Sequence, residues 1–250
     1  DMIPNDEVII TISSLGYVKR TNSSEYKTQG RGGRGARGSK TRNSDHIEHM
    51  FVANNHNYLL LFTEQGRCFW MRVFELPEAT KGSTGRVIQN LINIPKDDKV
   101  RAYIKIEDLS DIDFINNNYL LFITKKGIIK KTLVEAYSRP RTNGINAITI
   151  REDDQLLEVL LSNGNNEVVI ASKKGKAIRF NEQDVRSMGR NAAGVRGMNL
   201  GEDNEVVGML SIREEDEIEV FVVSEKGYGK RSSLEDYRKT KRGGKGVKTL

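Results

Sequence analysis

The sequence predicts an all-β fold, a propeller-like disc of repeated four-stranded blades, and three observations carry that expectation. Five segments, residues 8–20, 59–70, 120–131, 168–179 and 220–231, share one pattern: an apolar β-prone run, a short turn ending in glycine, then a second short run. Their turn glycines, Gly16, Gly66, Gly127, Gly175 and Gly227, stand 50, 61, 48 and 52 residues apart, the period of four-stranded blades. A second glycine keeps step with the first: Gly35, Gly85, Gly194 and Gly246 each lie 19 residues past their turn glycine, and Gly144 lies 17 past its own.

Each of the five segments is expected to be a hairpin. Their β-branched and aromatic residues flank Glu-Gln-Gly, Lys-Lys-Gly or Glu-Lys-Gly turns, with positive φ at the glycine. Between a second glycine and the next hairpin runs a further apolar stretch, such as residues 100–106, 156–161 and 206–212, which fits a third strand. Helical periodicity is scarce. A repeat of about fifty residues cannot bury its apolar face alone, so the units must stack and share a core. Residues 1–250 are therefore expected to form a single domain, a fragment of a longer chain.

Composition narrows the class. The chain has 40 Lys and Arg against 34 Asp and Glu, a net charge of +6, so the placement of the charges matters more than their sum. The single cysteine, Cys68, excludes a disulfide framework and fits a reducing compartment. No apolar run approaches the roughly 18 residues of a membrane span, and no basic, apolar leader follows Asp1. A cytoplasmic location without membrane attachment is the expectation.

The repeat sorts the charge. Four turn glycines are followed four residues on by a base, Arg20, Lys131, Arg179 and Arg231, and three of these are preceded by another, Lys19, Lys130 and Lys230. The second repeat has Phe69 and Trp70 instead, with Arg72 beyond. Carboxylates gather 8 to 12 residues past a second glycine, at Asp45 and Glu48, Asp97 and Asp98, residues 152–154, and Glu202, Asp203 and Glu205. In a circular stack one register becomes a basic ring and the other an acidic one. Lysines that merely protect exposed strand edges would account for any one of these bases, but less well for four at a common register. A basic belt is a track for duplex nucleic acid.

The densest basic stretch is residues 26–42, which holds six bases and five glycines and no carboxylate. Glycine lets the backbone approach a polyanion, so main-chain N–H groups and the forks of Arg31, Arg34 and Arg37 can face one rail of phosphates. Gly30 to Gly35 satisfies G-x-G-x-x-G, but no apolar helical period follows, as a dinucleotide site requires. Gly33 to Lys40 spells G-x-x-x-x-G-S-K, with the last two residues of a P-loop exchanged. A disordered arginine-glycine tract fits a terminus or a low-complexity region better than this position between strand-like runs.

Aligning the repeats by their second glycine lays Gln29-Gly30-Arg31-Gly32-Gly33-Arg34-Gly35 over Thr240-Lys241-Arg242-Gly243-Gly244-Lys245-Gly246. With this box in the first of five registered repeats, the chain resembles the C-terminal domain of the DNA gyrase A protein, whose hallmark is Q-R-R-G-G-[KR]-G. Residues 15–20, 194–197 and 227–231 support the resemblance, which covers essentially the whole chain. Gly30 stands where the family usually has its first arginine, and Arg37 and Lys40 offer replacement charge.

The resemblance implies a β-pinwheel, whose blades exchange strands. The family usually has six blades, against the five repeats visible here. It also implies non-sequence-specific wrapping of duplex DNA with positive handedness, presented to a strand-passage core in the rest of the gyrase A protein, with the gyrase B protein completing a heterotetramer. The DNA-binding set expected is the box from Gln29 to Gly35, with Arg37, Lys40 and Arg42, and the bases Lys19, Arg20, Lys130, Lys131, Arg179, Lys230, Arg231, Arg242 and Lys245. ATP and magnesium would act in other parts of the holoenzyme, and no cofactor is expected in this chain. The alternatives are the C-terminal domain of topoisomerase IV, where the box is usually degenerate and wrapping weak, and a protein-interaction propeller.

Candidates for catalysis are weak. His46, His49 and His56 lack cysteine partners and an H-E-x-x-H pattern, so solvated loop positions are the better account. Cys68 sits beside Phe69 and Trp70 in an apolar run and fits a packed thiol. The resemblance places the strand-cutting tyrosine, beside an arginine, in a separate domain, and no tyrosine here is read as one.

Overall fold

The computed structural model describes residues 2–26, 45–213, 219–223, 229–233 and 237–249, the side chains of 219–223 and 229–233 excepted. Its strands follow the repeats. The first contributes β1 (Glu7–Ser13), β2 (Tyr17–Asn22) and β3 (Ile47–Asn54); the second β4 (Tyr58–Thr63), β5 (Arg67–Arg72), β6 (Arg86–Val87) and β7 (Val100–Ile106). The third adds a short helix α1 (Ile112–Asn117), then β8 (Tyr119–Thr124), β9 (Ile128–Leu133), β10 (Ile145–Asn146) and β11 (Leu156–Ser162). The fourth gives β12 (Glu167–Ser172), β13 (Lys176–Asn181), β14 (Val195–Arg196) and β15 (Val206–Ile212), and the fifth β16 (Glu219–Val223), β17 (Gly229–Ser233) and β18 (Val247–Lys248).

These strands form four four-stranded sheets, in the orders β3-β1-β2-β6, β10-β5-β4-β7, β11-β8-β9-β14 and β15-β12-β13-β18, and a two-stranded sheet β16-β17. The fold is thus all-β and built of blades. The five hairpins and the three further strands lie where the sequence places them. After each of the first four hairpins comes a 3-10 turn, Ser23–Glu25, Val73–Glu75, Val134–Tyr137 and Glu182–Asp184.

The short fourth strand of each complete blade comes from the following repeat. β6 pairs with β2 through Val18↔Arg86, β10 with β5 through Ile145↔Cys68, β14 with β9 through Ile129↔Val195, and β18 with β13 through Ala177↔Val247. The second glycine makes this exchange possible. Gly85 has φ +83° and a Cβ there would lie 2.4 Å from the Val18 carbonyl oxygen; at Gly194, φ +102°, the same atom would lie 2.5 Å from the Ile129 oxygen. Only glycine combines that backbone conformation with that approach.

Contacts divide the chain into two compact units, residues 1–61 with 69–108 and 140–144, and residues 62–68 with 109–139 and 145–250. In the first, Val8, Ile10 and Ile12 of β1 alternate inward and pack with Val18, Leu59, Phe69 and Ile88. In the second, Leu121, Ile123, Ile129, Val168, Ile170, Ile178 and Phe180 form the main core. There Phe62, Phe122 and Tyr137 add a cluster of rings 5.4 to 5.9 Å apart. Helix α1 begins at Asp111, whose side chain accepts from Phe114 N at 3.2 Å.

Candidate nucleic-acid interface

Strand exchange decides the fate of the bases that follow the turn glycines. By bringing the next repeat's loop onto the second strand of a blade, it sets loop carbonyls against the side chains at that register. Lys19 is 1% exposed, and its Nζ donates to the carbonyl oxygens of Thr80, Lys81 and Ser83 at 3.1, 2.8 and 2.8 Å, one for each ammonium proton. Burial lowers its pKa, with Glu25 pulling the other way.

Lys130 is fully buried, and its Nζ donates to Ala147 O at 2.5 Å and Arg190 O at 2.6 Å, 5.2 Å from the centre of the Phe122 ring. Burial first, and the Arg190 charge second, push its pKa down to about 7. Lys131 is 6% exposed, donates to Glu182 O at 3.1 Å and lies 5.1 Å from the Tyr119 ring centre.

The two arginines of this register are also engaged. Arg20 Nε donates to Leu76 O at 2.8 Å, and its guanidinium lies 3.9 Å from Glu78. Arg179 Nε donates to Glu167 Oε2 at 2.5 Å and its Nη1 to Tyr237 O at 3.2 Å. Lys239 takes the other oxygen of Glu167, at 2.5 Å. Burial raises the Glu167 pKa, but hydrogen bonds from Lys239 and Arg179 outweigh it and hold the carboxyl low.

The expected basic ring is therefore corrected at these positions. Lys19, Lys130 and Lys131 are internal struts, their side-chain nitrogens turned onto main-chain oxygens rather than toward solvent. Arg20 and Arg179 are tied into the blade. Lys230 and Arg231 lie on β17, whose side chains are outside the described residues, as is the whole box from Gln29 to Gly35 with Arg37, Lys40 and Arg42.

The expected acidic ring has a structural origin too. Asp45 Oδ1 accepts from Ser14 Oγ at 2.5 Å and from Leu15 N and His46 N at 3.0 Å each, capping the first hairpin turn. Asp154 Oδ1 accepts from Lys126 N at 3.0 Å, and Asn204 Oδ1 from Lys174 N at 3.1 Å, so the residue before the turn glycine is held the same way in three repeats. Burial pushes the Asp45 pKa up, and the hydrogen bonds from Ser14, Ser13, Leu15 and His46 bring it below the usual carboxylate range.

The fifth repeat's loop, aligned with the box, leaves Lys241 and Lys245 exposed and ties Arg242 down. Thr240 N donates to Arg179 O at 2.8 Å and Gly243 N to Gly197 O at 2.7 Å, fixing the backbone. Arg242, expected to meet DNA, is half-buried, its Nε donating to Asp184 O at 3.2 Å and its Nη1 to Arg196 O at 3.0 Å. Lys245 is exposed, as are Arg238, Lys241 and Lys248, and Lys248 lies opposite the exposed Lys176 in the β18–β13 register. The four residues Lys176, Arg238, Lys241 and Lys248 were not among the expected set. A signal existed for one of them: Lys248 lies two residues past Gly246, as Arg196 does past Gly194 and Arg37 past Gly35.

Cys68 is buried, and burial pushes its thiol pKa up. His49 packs on Tyr103 with ring centres 5.4 Å apart, and His56 Nε2 contacts Ile3 O at 2.6 Å. Among the described residues no group of three or more His, Cys, Asp or Glu could hold a metal ion, and no helix is long and apolar enough to cross a membrane.

Blades completed by a strand from the next repeat define a propeller-type class of fold, and the family model for "DNA gyrase C-terminal domain, beta-propeller" matches residues 7–54, 57–106, 118–163, 166–213 and 219–250. The chain belongs to this family. It is 40% identical to the DNA gyrase A protein of Staphylococcus epidermidis over 249 residues, covering 100% of this chain and 27% of that protein. With the DNA gyrase A protein of Lawsonia intracellularis it shares 40% over 248 residues, 99% of this chain and 30% of the relative. The chain thus spans less than a third of the length of these curated relatives. Among solved structures, a DNA topoisomerase IV C-terminal domain superposes with a TM-score of 0.79 at 33% identity, covering 99% of this chain and 73% of that one. A DNA gyrase A C-terminal domain superposes with 0.75 at 28%, covering 97% and 76%.

Proposed function

We propose that this chain binds duplex DNA without sequence preference and wraps it with positive handedness, presenting it to the strand-passage core of a DNA gyrase for ATP-dependent negative supercoiling. The observation that carries the reading is the family match across all five repeats, in a chain whose first repeat holds the box Gln29 to Gly35. The exposed bases of the aligned fifth loop support it. Lys and Arg on glycine-rich loops contact phosphates, which set affinity and carry no base information. Bending costs roughly 1–6 kcal/mol for each 20–30 base pairs, so contacts must be spread along the path to offset it. The buried lysines leave that role to the loops, chiefly the box with Arg37, Lys40 and Arg42, and the loop bearing Lys241 and Lys245.

In this reading the partners are duplex DNA, the remainder of the gyrase A protein and, through it, the gyrase B protein, in the cytoplasm. ATP and magnesium act elsewhere in the assembly. The box is the latch that ends the wrapped segment. Replacing Arg31 and Arg34 by Gln should abolish wrapping, read as the loss of the plasmid linking-number shift, while linear duplex binding persists; wrapping that survives would refute the latch. A topoisomerase IV-like domain with weak wrapping is the second reading, favoured by the superposition on that domain. It expects duplex binding without a linking-number shift.

A further inference from the structure

Among the four complete blades the residue three past the turn glycine differs, and so does what the next repeat's loop meets there. In the first and third blades it is Lys19 and Lys130, whose ammonium groups are seated on carbonyls of the loops ending at Gly85 and Gly194. In the fourth blade it is Ile178, 2% exposed, which has no donor to offer the loop ending at Gly246. A hollow of about 400 Å³ lies there, lined by Ile178, Arg238, Lys241, Gly244, Lys245 and Gly246 among others.

We infer that this hollow is an anion seat for one phosphate group of the DNA backbone, and that the apolar side chain at position 178 keeps it open. The inference rests on the duplex-DNA reading above. Three observations converge on it. The described lining carries three bases and no carboxylate, whereas hollows of about 670, 200 and 410 Å³ elsewhere include Glu75, Glu48 and Asp203 respectively. The loop is built before any ligand arrives: Gly243 N donates to Gly197 O at 2.7 Å, Asn199 N to Gly244 O at 2.8 Å and Thr240 N to Arg179 O at 2.8 Å, so little ordering cost remains at binding. Next in sequence to the lining residues Ala177 and Val247, the exposed Lys176 and Lys248 stand paired in the β13–β18 register and add to the positive charge near the hollow.

In the second blade Phe69 also replaces the lysine, but the larger hollow there sets Glu75 against Arg72 and Arg141 and has Trp70, Leu91 and Pro140 on its walls.

The test uses the 250-residue chain with two probes, inorganic tripolyphosphate and a duplex of about 40 base pairs titrated over a salt series. Replacing the exposed pair, Lys241→Gln with Lys245→Gln, should weaken tripolyphosphate binding and flatten the duplex salt dependence by about 0.9 in log–log slope, the share of one phosphate. Ile178→Lys should weaken both even though it adds a positive charge, because its ammonium would occupy the seat; Ile178→Val should change neither. Undiminished tripolyphosphate binding in the double variant, or tighter binding in Ile178→Lys, would overturn the seat. A wild-type chain that takes tripolyphosphate here but ignores duplex would uphold the seat and defeat the duplex reading. Duplex binding with equal slopes in wild type and both variants would do the reverse.

Discussion

Lys130 Nζ lies 2.6 Å from the carbonyl oxygen of Arg190, sixty residues further along the chain, and this contact ties the third blade to the loop of the fourth repeat. A second carbonyl, from Ala147, completes the site at 2.5 Å. Two acceptors suit a neutral amine as well as an ammonium, which agrees with a pKa near 7.

The sign of the resulting pH dependence is fixed. Between about pH 7 and the ordinary lysine value of 10.5, the unfolded chain keeps a proton that the folded chain has lost, so stability rises with pH. One proton contributes at most about 1.4 kcal/mol per pH unit. Lys19 and Lys131 are shifted in the same direction, so the informative quantity is a difference. Urea unfolding at several pH values across this window should show a smaller rise in Lys130→Met than in wild type; parallel curves would mean that Lys130 titrates normally.

Replacing Lys19 by Met would strip three carbonyls of their donor. The expected loss is on the order of 2–4 kcal/mol of unfolding free energy. Because the buried ammonium meets no phosphate, the salt slope of duplex binding should stay unchanged. Denaturant unfolding and a salt titration on the same variant check both halves.

Gly194 and Gly189 should respond oppositely to alanine. At Gly194 the new methyl would meet the Ile129 oxygen at 2.5 Å and force β14 off its neighbour, whereas at Gly189 nothing lies within 4 Å. Gly194→Ala is expected to cost more than about 3 kcal/mol and Gly189→Ala to stay within about 0.5. Thermal unfolding separates them.

Asp45 should matter in acid. Its folded pKa is depressed, so the stability it contributes is present above the unfolded value near 3.8 and is lost as pH falls through the lower folded one. Asp45→Asn is expected to flatten the acid limb of the stability curve between about pH 4 and 2, measured by circular dichroism.

Much of the fold was legible because hairpins are local. A β-prone run, a turn glycine and a second run specify β8 and β9 within fifteen residues, and the period exposes the rest. Strand exchange was legible only through the family resemblance and not from the residues themselves, since the partner of Gly85 is Val18, in the preceding repeat. What the exchanged loops do to the bases was not legible at all. Lys130 and Lys131 are adjacent and both buried, which no period-two alternation suggests. Their acceptors are main-chain oxygens, which leave no trace in side-chain composition. The acids at Asp45 and Asp154 formed a visible register, but their role as turn caps emerges only with β3 and β11 folded back on the hairpins.

The central claim is chiral wrapping, and plasmid linking number tests it most directly. The plasmid is nicked and religated, or relaxed by a type I topoisomerase, with rising amounts of this 250-residue chain. The expected result is a protein-dependent shift toward positive writhe, reduced by high salt. Duplex binding with no shift at saturation would contradict it.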